Sequence, residues 1–256
     1  MLLAIDIGNT HTVIGIFKKE NLISSWRLSS AIVRTEDEIF HFIKLLCEHN
    51  NIDIDKIKSI GIASVVPNLT FAYELMSKKY FDIKPIIISN ELNLGIKILY
   101  EDPNSVGADR ICNAVAVFKK YGGPSIVIDF GTAITYDVIA KNGDYLGGAI
   151  TLGVETISSV LHIKAAKLPK VELHFPNKSI GKNTVESIQS GILFGIVDGI
   201  TGMIKRIESE IGKANIIATG GNSKMFKNKI SQIQFIEENL VLEGIKIITG
   251  KNLKSK

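Results

Sequence analysis

The hydrophobic pattern near the start of the chain predicts two short strands joined by a tight turn. An apolar run ends at Asp6, small polar residues follow Gly8, and a second apolar run extends over residues 12–17. Glycine and small polar residues between two such runs are typical of a β-hairpin. The pattern returns in mid-chain, where a run ending at Asp129 precedes another glycine turn and an apolar run over residues 135–140. The two hairpins predict two related half-domains that close on a nucleotide.

Strands and helices alternate in the rest of the chain. We expect further strands at residues 23–28, 59–65, 85–88, 145–150 and 216–221. We expect helices from a capping box at 35–38 to residue 49, and at 68–80, 107–120, 153–165 and 184–211. This order predicts an α/β fold with mixed sheets. Residues 95–103 look like a connector, so we expect one half over residues 1–103 and the other over 104–256, with a shared cleft.

Composition and charge are those of an ordinary globular chain. Hydrophobic residues make up 45% of the 256 residues, charged residues 22%, and the net charge is +4. Scattered lysines without basic or aromatic clusters favour a solvated surface over a nucleic-acid interface. Cys47 and Cys112 form no Cys-x-x-Cys pair, which indicates reduced thiols and a cytoplasmic protein. We expect neither a signal peptide nor a membrane span, because no run of 18 apolar residues occurs.

The first hairpin predicts a phosphate site. Backbone N–H groups from Gly8 to Thr10, together with threonine hydroxyls, are suited to phosphate oxygens. Asp6 would hold Mg²⁺, directly or through water. In the second copy, Thr132 is placed to contact phosphates and Asp129 to bind a cation. The alternative is an ordinary hairpin turn capped by a buried aspartate.

A further carboxylate opens the helix that precedes the second hairpin. Gly107-Ala108-Asp109-Arg110 begins this helix, whose positive N-terminal end should keep Asp109 ionised. Asp109 is then able to accept the proton of an attacking hydroxyl, and Arg110 to pair with a carboxylate or phosphate. The alternative is that Asp109 only caps the helix and Arg110 is a surface charge.

Two glycine patterns leave their role open. Gly220-Gly221 after a buried strand suits flat packing against a ring such as adenine, or simply turns the strand into a helix. Ser187, Gly191, Gly195 and Gly199 form one stripe on the long helix. Each helical glycine costs about 1 kcal/mol relative to alanine, so close packing should offset the cost. That packing lies either within the subunit or across a homodimer contact.

Together these segments resemble the type III pantothenate kinases of the acetate kinase/sugar kinase/Hsp70/actin superfamily, along essentially the whole chain. The matching motifs are Asp6-x-Gly-Asn-Thr10, Arg34-Thr-x-Asp-Glu38, Ser64-Val-Val-Pro67, Gly107-Ala-Asp-Arg110, Asp129-Phe-Gly-Thr132, Tyr145-Leu-Gly-Gly148, Ala166-Lys-Leu-Pro169, Gly181-Lys-Asn-Thr184 and Thr219-Gly-Gly221. The resemblance implies a duplicated ribonuclease H-like (actin-like) fold. It also implies a homodimer that phosphorylates pantothenate with ATP and Mg²⁺, the first step toward coenzyme A.

The resemblance also assigns roles to individual residues. It implies that Asp109 is the catalytic base and that Asp129 binds a monovalent cation, K⁺ or NH₄⁺. It implies that ATP is bound by Asp6, Ile7, Gly8, Asn9, Thr10, His11, Thr12, Val13 and Thr132. It implies that pantothenate is bound by Tyr100, Gly107, Ala108, Asp109, Arg110 and Thr184.

Three positions depart from the family pattern. Leu152 stands where proline is usual, and Glu238-Asn239 replaces Asp-Pro, which affects loop conformation rather than the proposed catalytic set. Two alternative functions use the same fold: a non-catalytic regulator, which would lose the carboxylates, and a nucleotide or polyphosphate phosphohydrolase. The second needs a positioned water instead of an alcohol pocket.

Overall fold

The first predicted hairpin forms the centre of a five-stranded sheet in a computed structural model that describes residues 1–253. Its strands are β1 (Leu2–Ile7), β2 (His11–Lys18), β3 (Asn21–Ser29), β4 (Ser59–Ser64) and β5 (Ile86–Ile87). The order is β3-β2-β1-β4-β5, with β1 antiparallel to β2 and parallel to β4. The carboxyl ends of β1 and β4 therefore meet at one edge of the sheet.

Three helices follow in the first part of the chain, α1 (Glu36–His49), α2 (Pro67–Phe81) and α3 (Ala108–Tyr121). The predicted capping box starts α1: Thr35 accepts the N–H of Glu38, and the Glu38 carboxylate accepts the N–H of Thr35. Such reciprocal bonds satisfy donors that a helix start leaves open. Short 3₁₀ helices cover Ile54–Lys56 and Pro103–Ser105.

The second predicted hairpin builds a sheet of the same topology. Its strands are β6 (Ser125–Phe130), β7 (Ala133–Ile139), β8 (Tyr145–Leu152), β9 (Asn215–Thr219) and β10 (Phe235–Ile236). The order β10-β9-β6-β7-β8 repeats the first sheet, with the hairpin antiparallel and β6 parallel to β9. The duplicated α/β fold predicted from the two hairpins is confirmed.

The remaining helices are α4 (Val154–Lys164), α5 (Thr184–Ile211), α6 (Ser223–Phe226) and α7 (Leu240–Leu253). α5 is the one helix within residues 1–253 that is long and apolar enough to cross a membrane by length and composition, although no run of 18 apolar residues occurs. Buried isoleucines on one face of α5 join the core of the second sheet. They are Ile188, Ile192, Ile196, Ile200, Ile204 and Ile207.

The chain divides into two units at points other than the expected boundary between residues 103 and 104. One unit is Met1–Lys119 together with the segment from Leu240 onward, and the other is Lys120–Asn239. The expected boundary puts α3 and the segment from Leu240 onward in the second half instead. A Cβ on Gly244 of α7 would lie 2.2 Å from the carbonyl oxygen of Cys112 in α3, so the two helices touch backbone to backbone. A Cβ on Gly61 of β4 would lie 2.2 Å from the Thr249 hydroxyl, which shows how closely α7 packs on this sheet.

Candidate functional site

The turn of the first hairpin lies at the carboxyl edge of the first sheet. Asp6 pairs with Val13 on β2 and Ala63 on β4, and its residue is half-buried. Asn9, Thr10 and His11 at the turn are exposed, whereas Ile7 is buried in the core. The structure thus places a carboxylate beside a solvent-facing turn.

Two of the donors expected for phosphate are engaged within the chain. The N–H of Gly8 donates to the carbonyl oxygen of His11 at 3.0 Å, which closes the hairpin. The Thr12 hydroxyl is buried and lies 2.9 Å from the Ser30 hydroxyl. Hairpin closure and strand packing thus give both groups partners within the chain, and their contact with phosphate stays a prediction.

Asp109 lies in the first turn of α3, where its Oδ1 accepts the N–H of Arg110 at 2.8 Å. Gly107 makes room for this carboxylate, since a Cβ there would lie 2.4 Å from Oδ1. Burial raises the pKa of Asp109, and the N–H and positive charge of Arg110 offset part of the rise. We expected the helix terminus to dominate and keep this group ionised. In the folded chain, loss of water around the carboxylate outweighs the hydrogen bonds and the Arg110 charge at the helix start, so the pKa of Asp109 rises.

The residues around Asp109 are largely buried. Ala108 and Arg110 are only 7% and 8% exposed, so Arg110 is not the surface charge that we considered as an alternative. Tyr100 is 38% exposed and precedes the 3₁₀ helix that leads to α3. Burial also raises the pKa of the Cys112 thiol, and the charges of Asp6 and Asp109 raise it further. The charges of both carboxylates therefore act on one buried thiol.

The second hairpin presents Asp129 at the end of β6, opposite Thr135 on β7 and Thr219 on β9. Gly220 follows β9 with a φ of +86°, a conformation that favours glycine. A Cβ at Gly220 would lie 2.4 Å from Oδ1 of Asp129. The Thr219-Gly220-Gly221 segment thus forms the turn from β9 to α6, which is one of the two predicted roles. It also lies directly against the Asp129 carboxylate.

Thr132 connects the second hairpin turn to the start of α4. Its side chain is exposed, while its carbonyl oxygen accepts the N–H of Gly153 at 3.0 Å and the hydroxyl of Thr156 at 2.7 Å. Leu152, at the family's proline position, ends β8 and is 50% exposed. At the other departure, Glu238 pairs with Lys224 at 2.7 Å just before α7.

Thr184 is the first residue of α5 and lines a cavity of about 550 Å³ in the second unit. Asn183 caps the helix, with its Oδ1 accepting the N–H of Glu186 at 2.9 Å. Leu161, Leu168, Ser187 and Gly191 also line this cavity. Apart from chain neighbours and the nearby backbone of α5 itself, no heavy atom of the described residues lies within 4 Å of a Cβ placed on Gly191, Gly195 or Gly199. Packing within the subunit therefore does not explain the glycine stripe.

Sequence reasoning missed α7 and the role of Gly220 beside Asp129. The apolar Leu240, Leu242, Ile245 and Ile248 of α7 are buried, and their helical spacing was a usable signal. Contact between Gly220 and Asp129 joins residues far apart in the chain, so no local pattern indicates it.

Comparison with known proteins places the chain in a family. The sequence profile described as type III pantothenate kinase matches residues 2–206. A type III pantothenate kinase from Moorella thermoacetica is 43% identical over 253 residues, which is 98% of this chain and 100% of the relative. A Baf family protein from Campylobacter jejuni has the same fold, with a TM-score of 0.63 at 21% identity over 98% of this chain and 99% of that one. A polyphosphate/ATP-glucomannokinase from Arthrobacter also has this fold, with a TM-score of 0.52 at 14% identity over 97% and 98% of the two chains. The chain belongs to the type III pantothenate kinase family.

Proposed function

We propose that this protein transfers the γ-phosphoryl group of ATP to the primary hydroxyl of pantothenate. The products are 4′-phosphopantothenate and ADP, and the reaction is the first step toward coenzyme A. One observation carries the proposal: in a chain of this family, the half-buried carboxylate of Asp109 lies at the start of α3, in the same unit as Asp6 at the hairpin turn. That arrangement supplies a base near a candidate phosphate turn.

Asp109 serves as the general base. Its raised pKa makes the carboxylate a stronger proton acceptor than an exposed aspartate, which suits it to a substrate hydroxyl. The hydroxyl oxygen forms a bond to the γ-phosphorus, and the bond from that phosphorus to the β,γ-bridging oxygen breaks. The hydroxyl proton moves to Asp109, and the leaving oxygen departs with ADP. Positioning and charge stabilisation supply most of the acceleration in such transfers.

The phosphate contacts come from the two hairpins. In the first unit, the exposed residues Asn9, Thr10 and His11 would bind phosphate oxygens through their backbone and side chains. In the second unit, the exposed Thr132 would do the same. The Asp6 carboxylate offers the oxygen ligands that Mg²⁺ prefers, so the residues present fit that ion. When bound, Mg²⁺ neutralises charge that accumulates on the phosphate oxygens.

Asp129 is our candidate ligand for a monovalent cation, K⁺ or NH₄⁺. The absence of a side chain at Gly220 lets its backbone approach Oδ1 of Asp129 closely, since a Cβ there would lie only 2.4 Å from that oxygen. Carboxylate and backbone oxygens are hard ligands that suit such an ion, and a cation there would reduce repulsion between phosphates and carboxylates.

Pantothenate would be held by the residues around Asp109. Arg110 is suited to bind the pantothenate carboxylate through two parallel N–H bonds. Tyr100, Gly107, Ala108 and Thr184 would complete the contacts. Burial of the Arg110 residue supports a role beyond surface charge.

A homodimer in the cytoplasm, without nucleic-acid or membrane partners, completes the proposal. The open face along Gly191, Gly195 and Gly199 supports a subunit contact, because close approach of a second backbone would offset the cost of helical glycine. The buried isoleucines of α5 support its role as a core helix. No observation favours a regulator or a hydrolase, and Asp6, Asp109 and Asp129 are all retained.

A coupled assay of ADP release, with and without pantothenate and in K⁺ and Na⁺ buffers, tests the function. We expect turnover only with pantothenate, and faster turnover in K⁺. ADP release that does not depend on pantothenate would reject the kinase function in favour of a hydrolase. Equal rates in the two buffers would reject only the monovalent cation.

A further inference from the structure

The Ser64-Val65-Val66-Pro67 motif has no role in the proposed function so far, yet it lies next to Asp109. It joins the end of β4 to the start of α2. The N–H of Val65 donates to the carbonyl oxygen of Ile7 at 3.1 Å, so the pairing of β1 and β4 continues one residue beyond β4. The backbone of Val65 is therefore anchored at the sheet edge that carries Asp6.

Two hydroxyl groups fix the shape of this turn. The Ser64 Oγ accepts the N–H of Val66 at 3.0 Å and the hydroxyl of Thr70 at 2.6 Å. The Thr70 hydroxyl also lies 3.0 Å from the carbonyl oxygen of Val66. This network holds the start of α2 in place of a side-chain cap, which Val66 lacks. The turn is consequently a rigid support rather than a loose connection.

Val65 and Asp109 meet at Gly107. A Cβ on Gly107 would lie 2.4 Å from Oδ1 of Asp109 and 3.5 Å from Cγ1 of Val65, so the two atoms border the same small space. The N–H of Arg110 holds the same Oδ1 at 2.8 Å. The carboxylate thus accepts backbone N–H groups at the start of its own helix and has an apolar neighbour from another element.

We propose that Val65 is a positioning residue for Asp109 and that the hydroxyls of Ser64 and Thr70 hold Val65 in place. The inference rests on the proposed function, in which Asp109 is the base. A methyl group beside the carboxylate excludes water and restricts its rotamer, which keeps the proton-accepting oxygen in one location. A base displaced by about 1 Å can lose a large part of its effect.

Steady-state kinetics on purified variants give the first test. Val65→Ala removes the apolar wall, and Thr70→Val removes a hydroxyl while the shape is kept. We expect kcat to fall on the order of tenfold for Val65→Ala and less for Thr70→Val, with the KM for ATP within about twofold of wild type. Val65→Ile should restore most of kcat. Ser77→Ala is the matched control, because its buried hydroxyl bonds Tyr73 on the same helix at 2.7 Å, away from the turn.

An NMR titration of the ¹³C-labelled aspartate carboxyls gives a readout that does not need turnover, with Asp109 assigned through Asp109→Asn. Water admitted by Val65→Ala favours the charged form, so the Asp109 midpoint should fall by about half a pH unit. Arg110 and Cys112 on α3 and Asp6 on β1 are ionisable groups of the same region, and these variants leave them unchanged.

The outcomes separate the two proposals. Wild-type protein that fails to phosphorylate pantothenate rejects the proposed function, while the titration still decides the position of Val65. An active wild type with unchanged kcat and an unchanged Asp109 midpoint in Val65→Ala rejects the positioning role alone. An equal loss of kcat in Ser77→Ala would assign the effect to general disturbance of α2 and also overturn the inference.

Discussion

Replacement of the Asp109 carboxylate by an amide separates catalysis from folding in this protein. Asp109→Asn keeps the size of the side chain and an oxygen that is able to accept the N–H of Arg110, which Oδ1 accepts at 2.8 Å in the native chain. It removes the negative charge and the proton acceptor. The Oδ1 position beside Gly107 requires an acceptor for the N–H of Arg110. The amide should therefore place its oxygen there and its NH₂ toward the substrate side.

The kinetic effect follows from the role of the base. A positioned general base contributes about 10²–10⁴-fold to a rate. We therefore expect kcat to fall by about that factor, or about 3–5 kcal/mol in the barrier. The KM for ATP should remain close to the wild-type value, because the phosphate contacts lie on other residues.

Asp109→Asn should lower kcat but should not lower the free energy of unfolding. Burial raises the pKa of Asp109, so the folded chain binds the proton more tightly than the unfolded chain does. The stability associated with that proton is complete below the unfolded pKa and is lost as pH rises through the folded pKa. Asparagine carries no charge at any of these pH values. Asp109→Asn should therefore be at least as stable as wild type near pH 7, and the difference should vanish in acid.

Urea denaturation at pH 7 and in acid, combined with the coupled assay, tests both effects. The exposed Asp55→Asn in the same unit is the matched control and should change neither quantity. Near-normal kcat in Asp109→Asn would refute the assignment of the base. A large loss of stability at pH 7 would refute the argument from burial of the charge.

Three further changes test other parts of the molecule. Gly220→Ala should lower the free energy of unfolding by about 1–3 kcal/mol and abolish K⁺ activation. Gly212→Ala is the control, because Gly212 has a φ of +82° with open space around it, and its replacement should lower stability without changing K⁺ activation. Urea denaturation measures the first effect and K⁺ titration of activity the second. Gly195→Leu should fold normally and shift the protein toward monomer in light scattering, and an unchanged dimer would contradict the subunit contact. Thr35→Ala should cost about 0.5–2 kcal/mol through loss of the helix cap, without any change in kcat.

Local patterns were sufficient to predict most of the elements. The capping box at Thr35 starts α1 because its hydrogen bonds join residues three positions apart, and such bonds depend on nearby sequence alone. The two Asp-x-Gly hairpins formed as predicted for the same reason. The helix α7 was missed, and with it the return of the chain to the first unit.

The electrostatic state of Asp109 was not predictable in the same way. The sequence shows a helix start, which favours the charged form. Burial around that helix start involves residues from outside the helix, among them Val65 just after β4. Desolvation depends on this packing, so the direction of the pKa shift appears only in the folded chain.

The sequence by itself determined that two hairpins carry Asp6 and Asp129 and that a helix starts at Asp109, because each feature depends on neighbouring residues. The tertiary structure decided that Asp109 is desolvated, that Gly220 lies against Asp129, and that the glycine stripe of α5 is open toward the other residues of 1–253. Burial and close approach depend on tertiary packing, which brings together residues that are far apart in the sequence.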